Sequence, residues 1–214
     1  MHAKLVLPMV DELLLEAGVT LSQLDGIAFC QGPGAFTGLR IGAGVVQGLA
    51  FSADLPVLGV STLATMAQRA YREYEATHVY AAIDARMGQI YWGSYQLSDA
   101  AIEPQTLMML QGEEVVIEPC NVPMNDPRNL VRPEGGGDTR CWVGCGTGWL
   151  FGNDIQAAGI QVAKIYDSLL PHALDALTLA VPQLDAGNGV APEEALPHYV
   201  RDNVAKKKSE QGSK

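Results

Sequence analysis

Apolar residues recur at helical spacing over residues 4–17, which places Val6, Met9, Val10, Leu13 and Ala17 on one face. Gly18 supplies the stop. A short apolar run, Gly26–Cys30, reads as a buried strand. Helical spacing resumes over 38–53, where Leu39, Val45, Val46 and Leu49 can face a core. Residues 56–60 read as a second strand, Ser61 is placed to cap a helix that runs to about Tyr74, and 78–84 reads as a third strand. This alternation predicts a mixed or parallel sheet flanked by helices.

The pattern changes after Asp84. Ala85–Gly88 reads as a turn and 89–97 alternates, so 78–97 is expected to be a hairpin. A further strand is expected near 105–110. Residues 118–140 hold Pro119, Pro123, Pro127, Pro133 and the run Gly135–Gly137 with little apolar content, the signature of a flexible insertion. Strands are expected again at 141–144 and 161–165. Ser168 is placed to cap a last helix that reaches about Leu184 and is perturbed by Pro182.

Composition narrows the class. A chain of 214 residues with 48% hydrophobic and 18% charged residues can bury a real core. No run approaches the ~20 apolar residues a bilayer span needs, and Asp11, Glu12 and Glu16 break the only stretch resembling a signal peptide. With 14 basic and 24 acidic residues the formal charge is −10, which argues against sustained direct binding to a nucleic-acid backbone. The single basic run, Arg201 to Lys208, reads as a solvated tail. Cys30, Cys120, Cys141 and Cys145 lack metal-ligand spacing and read as reduced thiols of a cytoplasmic protein.

Residues 31–48, QGPGAFTGLRIGAGVVQG, join the first strand to the second helix. Their glycines and Pro33 free the backbone to turn sharply, and Thr37 is placed to cap the helix. Such a junction can offer backbone N–H groups to an anion, and it can equally be only a tight turn. The string Gly32-Pro33-Gly34-Ala35-Phe36-Thr37-Gly38-Leu39-Arg40-Ile41-Gly42 closely resembles the signature of the TsaB family, also called YeaZ. Leu55–Leu63, Ala82–Gly88 and Tyr199–Ala205 agree in order and spacing. With Val143–Trp149 they cover most of the chain outside 100–140.

The resemblance implies the two-lobed α/β fold of the actin, Hsp70 and sugar-kinase group. Residues 1–78 would form an incomplete first lobe, 79–200 a second lobe with its insertion at 118–140, and 201–214 a basic tail. It also implies a non-catalytic scaffold for TsaD in forming N6-threonylcarbamoyladenosine at position 37 of tRNAs that read ANN codons. ATP would be used by the complex, with no cofactor bound by this chain, and a TsaE-type ATPase would join the assembly. Contact with tRNA would come only through the complex, and no membrane is involved.

In the family the first two helices pack on those of TsaD or of a second TsaB. Here that surface would comprise Val6, Met9, Val10 and Leu13 with Arg40, Ile41, Gly44, Val45 and Gly48. Each interior glycine costs a helix up to about 1 kcal/mol relative to alanine. Small residues become useful where another helix backbone comes close. Packing on the chain's own sheet is the competing account, and one helix can do both on different faces.

Candidate nucleotide contacts are Gly32, Gly34, Thr37 and Gly38 at the first turn and Gly144 and Gly146 in a second-lobe glycine loop. Family members usually open with a strand, an Asp-Thr turn and two further strands ahead of a histidine matching His2. These residues hold no counterpart, which suggests a mis-assigned start or a natural fragment, with strand edges unpaired and apolar helix faces uncovered.

The alternative is an independent ATP-dependent kinase or a glycoprotease-like peptidase of the same fold. The TsaD family carries two metal-binding histidines where this chain has Thr62 and Met66, so no metal is expected. Neither do His2, His78, His172 and His198 show ligand spacing. Cys30, beside the glycine turn, is the candidate nucleophile. Asp84 ends a strand, a common place for functional carboxylates, though pairing with Arg86 would equally hold a turn.

Overall fold

The computed structural model describes residues 4–98, 107–123 and 142–200. Strands β1 (Ile27–Gly32) and β2 (Val57–Ser61) run parallel with Ile27 opposite Val57, and helix α2 (Phe36–Ala53) makes the crossover such a pair requires. Ala43, Val46 and Ala50 of α2, three and four residues apart, close a small core with Phe29, Leu55 and Val57. Val190 exchanges both backbone hydrogen bonds with Val57 at 2.9 Å, covering the outer edge of β2. No described strand pairs with the other edge of β1.

The second sheet holds β3 (His78–Arg86), β4 (Gln89–Leu97), β5 (Met108–Leu110), β6 (Val115–Ile117), β7 (Val143–Cys145) and β8 (Lys164–Tyr166). Its order is β5-β4-β3-β7-β8, with β6 also paired to β4. The two-residue periodicity of β3 serves two cores. Val79 and Ala81 meet Leu63, Met66, Ala67 and Ala70 of α3 (Thr62–Tyr74), while Tyr80 and Ala82 meet Trp92, Trp142 and Trp149. That explains the unbroken buried run from His78 to Ala82. Tyr80 stacks on Trp142 with centroids 4.1 Å apart, and the Trp149 indole N–H donates to the Tyr80 carbonyl at 3.1 Å.

Ser61 caps α3 as its sequence position predicts, its Oγ accepting from the N–H groups of Leu63 and Ala64. The hydroxyls of Ser61 and Tyr95 both donate to the Glu114 carboxylate, which ties the loop before β6 to the start of α3. Helix α4 (Gly152–Ala157) covers the tryptophan core through Ile155, and α5 (Ala173–Asp185) packs on α3 and on the first sheet. Asp175 is buried and accepts two hydrogen bonds from Arg72 of α3, each 2.8 Å. The chain then returns to the first lobe: Ala195 enters its core and the His198 N–H donates to the Gln31 carbonyl at 2.8 Å. Packing therefore crosses residue 78 in both directions.

Three local expectations need correction. The N-cap of α2 is Ala35, with no side-chain capping bond, so Thr37 lies inside the first turn. The last helix starts at Ala173 and not after Ser168, and the ring of His172 accepts from the Leu174 N–H at 3.2 Å as its cap. At the front of the proline-rich segment 118–140, Pro119 and Val122 are buried, Val122 within the tryptophan core. The rest of that segment, like His2, Cys141 and the tail 201–214, lies outside the described residues.

Candidate partner surface and interlobe cleft

Helix α1 (Val6–Ala17) ends where Gly18 turns left-handed at φ 67°, and it buries none of its residues. Met9 is 59% exposed, Leu13 63% and Leu15 83%, while Val6 and Val10 are half-buried. On α2 the helix periodicity divides the labour. Ala43, Val46 and Ala50 face inward, and Gly44 and Gly48 face outward with open space where a side chain would stand. Ile41 and Val45 lie half-buried between the two faces, and Arg40 is exposed. The nine residues expected at a partner surface thus fall on two helices that leave apolar or flat surface uncovered.

Arg40 is held firmly for an exposed side chain. Its guanidinium lies 3.8 Å from the ring centroid of Phe36, and its Nε–H donates to the Tyr199 hydroxyl at 2.9 Å. The two rings themselves approach to 5.5 Å.

A cleft of about 750 Å³ opens between the glycine turn, the β3–β4 hairpin, Thr147 and the segment 198–200. The hairpin turns on Met87 and Gly88, both at positive φ (57° and 72°), with Arg86 paired to Gln89. Asp84 accepts from the Arg86 N–H at 2.8 Å and from its guanidinium at 3.0 Å. The pair is thus a turn lock at the rim of the cleft. An apolar recess of about 290 Å³ adjoins it, with Cys30, Thr62, Met66 and Leu169 in its lining.

Of the six candidate nucleotide positions, Gly34 and Gly38 line this space. Thr37 is exposed and lines neither part. Gly32 is buried at φ 134°, and a Cβ there would meet the His198 carbonyl. Gly144 and Gly146 are also buried, leaving room for the Trp149 ring and for Met66 and Ala82 respectively. Close packing accounts for these three glycines without a ligand. Burial pushes the Cys30 thiol above its ordinary value, against a smaller opposing effect of its hydrogen bond with Thr65. It is therefore overwhelmingly the protonated thiol at neutral pH, the unreactive form.

Comparison with known proteins places this geometry in a family. The model of the TsaD family, tRNA N6-adenosine threonylcarbamoyltransferase, matches residues 1–209. The tRNA threonylcarbamoyladenosine biosynthesis protein TsaB of Escherichia coli (strain K12) is 42% identical over 209 residues, which is 97% of this chain and 84% of that one. The chain belongs to the TsaB family. The TsaB of Haemophilus influenzae is 37% identical over 207 residues, covering 97% and 83%. A crystal structure of a Pseudomonas aeruginosa protein described as similar to peptidase YeaZ superposes with a TM-score of 0.82 at 48% identity, over 94% of this chain and 85% of that chain. A second structure, YeaZ from Pseudomonas aeruginosa, gives 0.78 at 48%, over 93% and 85%.

A transferase relative matches a shorter stretch. The tRNA N6-adenosine threonylcarbamoyltransferase of Methylobacillus flagellatus is 45% identical over only 62 residues, 29% of this chain and 18% of that enzyme. The fold shared with TsaB-family structures is the two-lobed arrangement the glycine signature implies. Sequence reading missed the Phe36–Arg40–Tyr199 contact, because Arg40 and Tyr199 lie 159 positions apart. The aromatic flanking of Arg40 by Phe36, one helical turn earlier, was the available signal. It also missed the exposed stripe Leu174, Leu177 and Val181 on α5, although the spacing of three and four residues is legible.

Proposed function

We propose that this chain is the non-catalytic scaffold of a TsaD-type threonylcarbamoyltransferase, acting in the formation of N6-threonylcarbamoyladenosine in tRNA. The observation that carries this reading is the surface of α1 and α2. Helix α1 is apolar and buries none of its residues, and the outward positions Gly44 and Gly48 of α2 open to empty space. Apolar surface of this kind is stabilised when another helix covers it, and glycine lets that helix approach closely. The partner's own helices are the natural cover, and a second copy of this chain would compete for the same face.

The division of labour follows from the residues. Threonylcarbamoyl transfer takes place on TsaD, and this chain contributes binding surface and the shape of the assembly. ATP is consumed in the complex, where a TsaE-type ATPase joins. With a formal charge of −10, the chain reaches tRNA through its partners and does not itself grip the phosphate backbone. Among the described residues no helix is long and apolar enough to cross a membrane, in keeping with work in the cytoplasm. A peptidase reading finds little support, since the one thiol beside the glycine turn is held protonated by burial.

The test is reconstitution. The purified chain, mixed with its TsaD-type partner and the remaining components, should restore threonylcarbamoyladenosine formation on tRNA transcripts. Gly48→Leu should abolish that support while the variant still melts like the wild type. Full support from the Gly48→Leu chain would remove this surface from the account.

A further inference from the structure

The described arginines divide into two kinds. Arg69, Arg72 and Arg86 each pair with a carboxylate, whereas Arg40 pairs with none among the described residues. Arg40 is instead sandwiched by aromatic groups, stacked on Phe36 at 3.8 Å and hydrogen-bonded through Nε–H to the Tyr199 hydroxyl at 2.9 Å. In a chain with ten more acidic than basic groups, an arginine without a carboxylate partner among the described residues stands out. Guanidinium carries five N–H donors, and among the described residues only the Nε–H has an acceptor. Stacking on Phe36 and the bond to Tyr199 fix the orientation of the planar fork on this exposed residue, which lowers the entropy lost when it is engaged.

Position adds direction. Arg40, Gly44 and Gly48 lie four residues apart and so follow one another along the same side of α2. A helix laid along Gly44 and Gly48 would pass beside Arg40. We propose that Arg40 is the specificity contact of this surface and takes a carboxylate of an Asp or Glu on the docked partner helix. Phe36 and Tyr199 act as its positioning residues. This rests on the scaffold reading above and names the chemistry of the partner at that surface.

The arrangement also links two distant parts of the chain. Tyr199 belongs to the returning segment, which is itself held by the Gln47 side-chain amide donating to the Ala195 carbonyl at 3.1 Å and by the His198 N–H donating to Gln31. The orientation of the docking charge is thereby set by the end of the second lobe.

The experiment is titration calorimetry of the full chain with its TsaD-type partner at low and moderate salt, with each variant's thermal melt recorded. Arg40→Gln should bind about tenfold more weakly at low salt, and the gap should narrow as salt rises. Arg40→Lys should recover only part of the loss, because lysine keeps the charge and lacks the fork. Tyr199→Phe should weaken binding about threefold in the wild type and not at all in the Arg40→Gln background. Arg40→Glu should be rescued by a carboxylate-to-lysine change on the partner helix.

Wild-type affinity and salt dependence in Arg40→Gln would overturn the proposal. If binding is still lost in Gly48→Leu, the scaffold reading would stand without it. Unchanged partner binding with weakened tRNA binding by the assembly would overturn it in favour of a phosphate contact. Failure of the wild-type chain to bind the partner would remove both readings together.

Discussion

Helices α1 and α3 meet opposite fates. The more apolar of the two, α1, buries nothing, whereas α3 buries Leu63, Met66, Ala67 and Ala70 against the central strand of the large sheet. Composition does not decide burial. A sheet face lies opposite α3, and no described element covers α1. What α1 holds back from the chain's own core remains available to another molecule, and α2 shows both behaviours on its two sides. The contrast teaches that apolar character and burial are separable here: one set of apolar residues holds the fold, and the proposed function assigns another to a partner.

The sharpest way to break the contrast is to fill the glycine face. Gly44→Leu with Gly48→Leu should lower affinity for a TsaD-type partner by at least about a hundredfold in calorimetry, because side chains would stand where a helix backbone must approach. The melting temperature should hold or rise slightly, since both positions open to empty space. The next largest effect belongs to the core. Leu63→Ala should cost about 3 kcal/mol in denaturant unfolding, while Leu13→Ala on α1 should fall within about 0.5 kcal/mol. Equal costs would erase the distinction between the two helices.

Alkaline pH probes the packed side alone. Burial raises the Cys30 and Cys145 thiols above their ordinary 9.0 and the Tyr95 hydroxyl above its ordinary 10.0. The unfolded chain loses these protons first, so stability is full below about pH 9 and declines as pH rises beyond it. Cys145→Ala should flatten that decline in melting curves taken across the range. The smallest effect concerns thiol labelling at neutral pH. Among the three described cysteines, exposed Cys120 should react fastest, Cys30 slowly, and Cys145 only on unfolding, as mass spectrometry would show.

Much of this was legible in the residues. Ser61 before an amphipathic run predicts the α3 cap, Gly18 predicts the end of α1, and Met87-Gly88 between alternating segments predicts the hairpin. The pairing of Asp84 with Arg86 follows from their spacing on that turn. What escaped depends on distance along the chain or on short elements. Strand β6 is three residues long, too brief for periodicity to register, and the strand expected at 161–165 forms over Lys164–Tyr166. The start of α5 rests on the ring of His172, a side chain seldom used as a cap. Val122 looked like part of a loose insertion because its core partners, such as Trp92 and Ile155, are remote in sequence.

The candidate site divides the same way. The cost of interior glycines and the family resemblance put Gly44 and Gly48 at an expected partner surface, and both positions open to empty space. Spacing could not reveal that Gly144 and Gly146 are small to admit Trp149, Met66 and Ala82, because that reason lies on other elements. Nor could it show Tyr199 reaching back to Arg40.

The most direct measurement is light scattering coupled to size-exclusion chromatography on this chain mixed with its TsaD-type partner, beside the Gly48→Leu chain. The account predicts a one-to-one complex for the wild type and separate peaks for the variant, with matching thermal melts. A complex that forms equally well with both chains would contradict it.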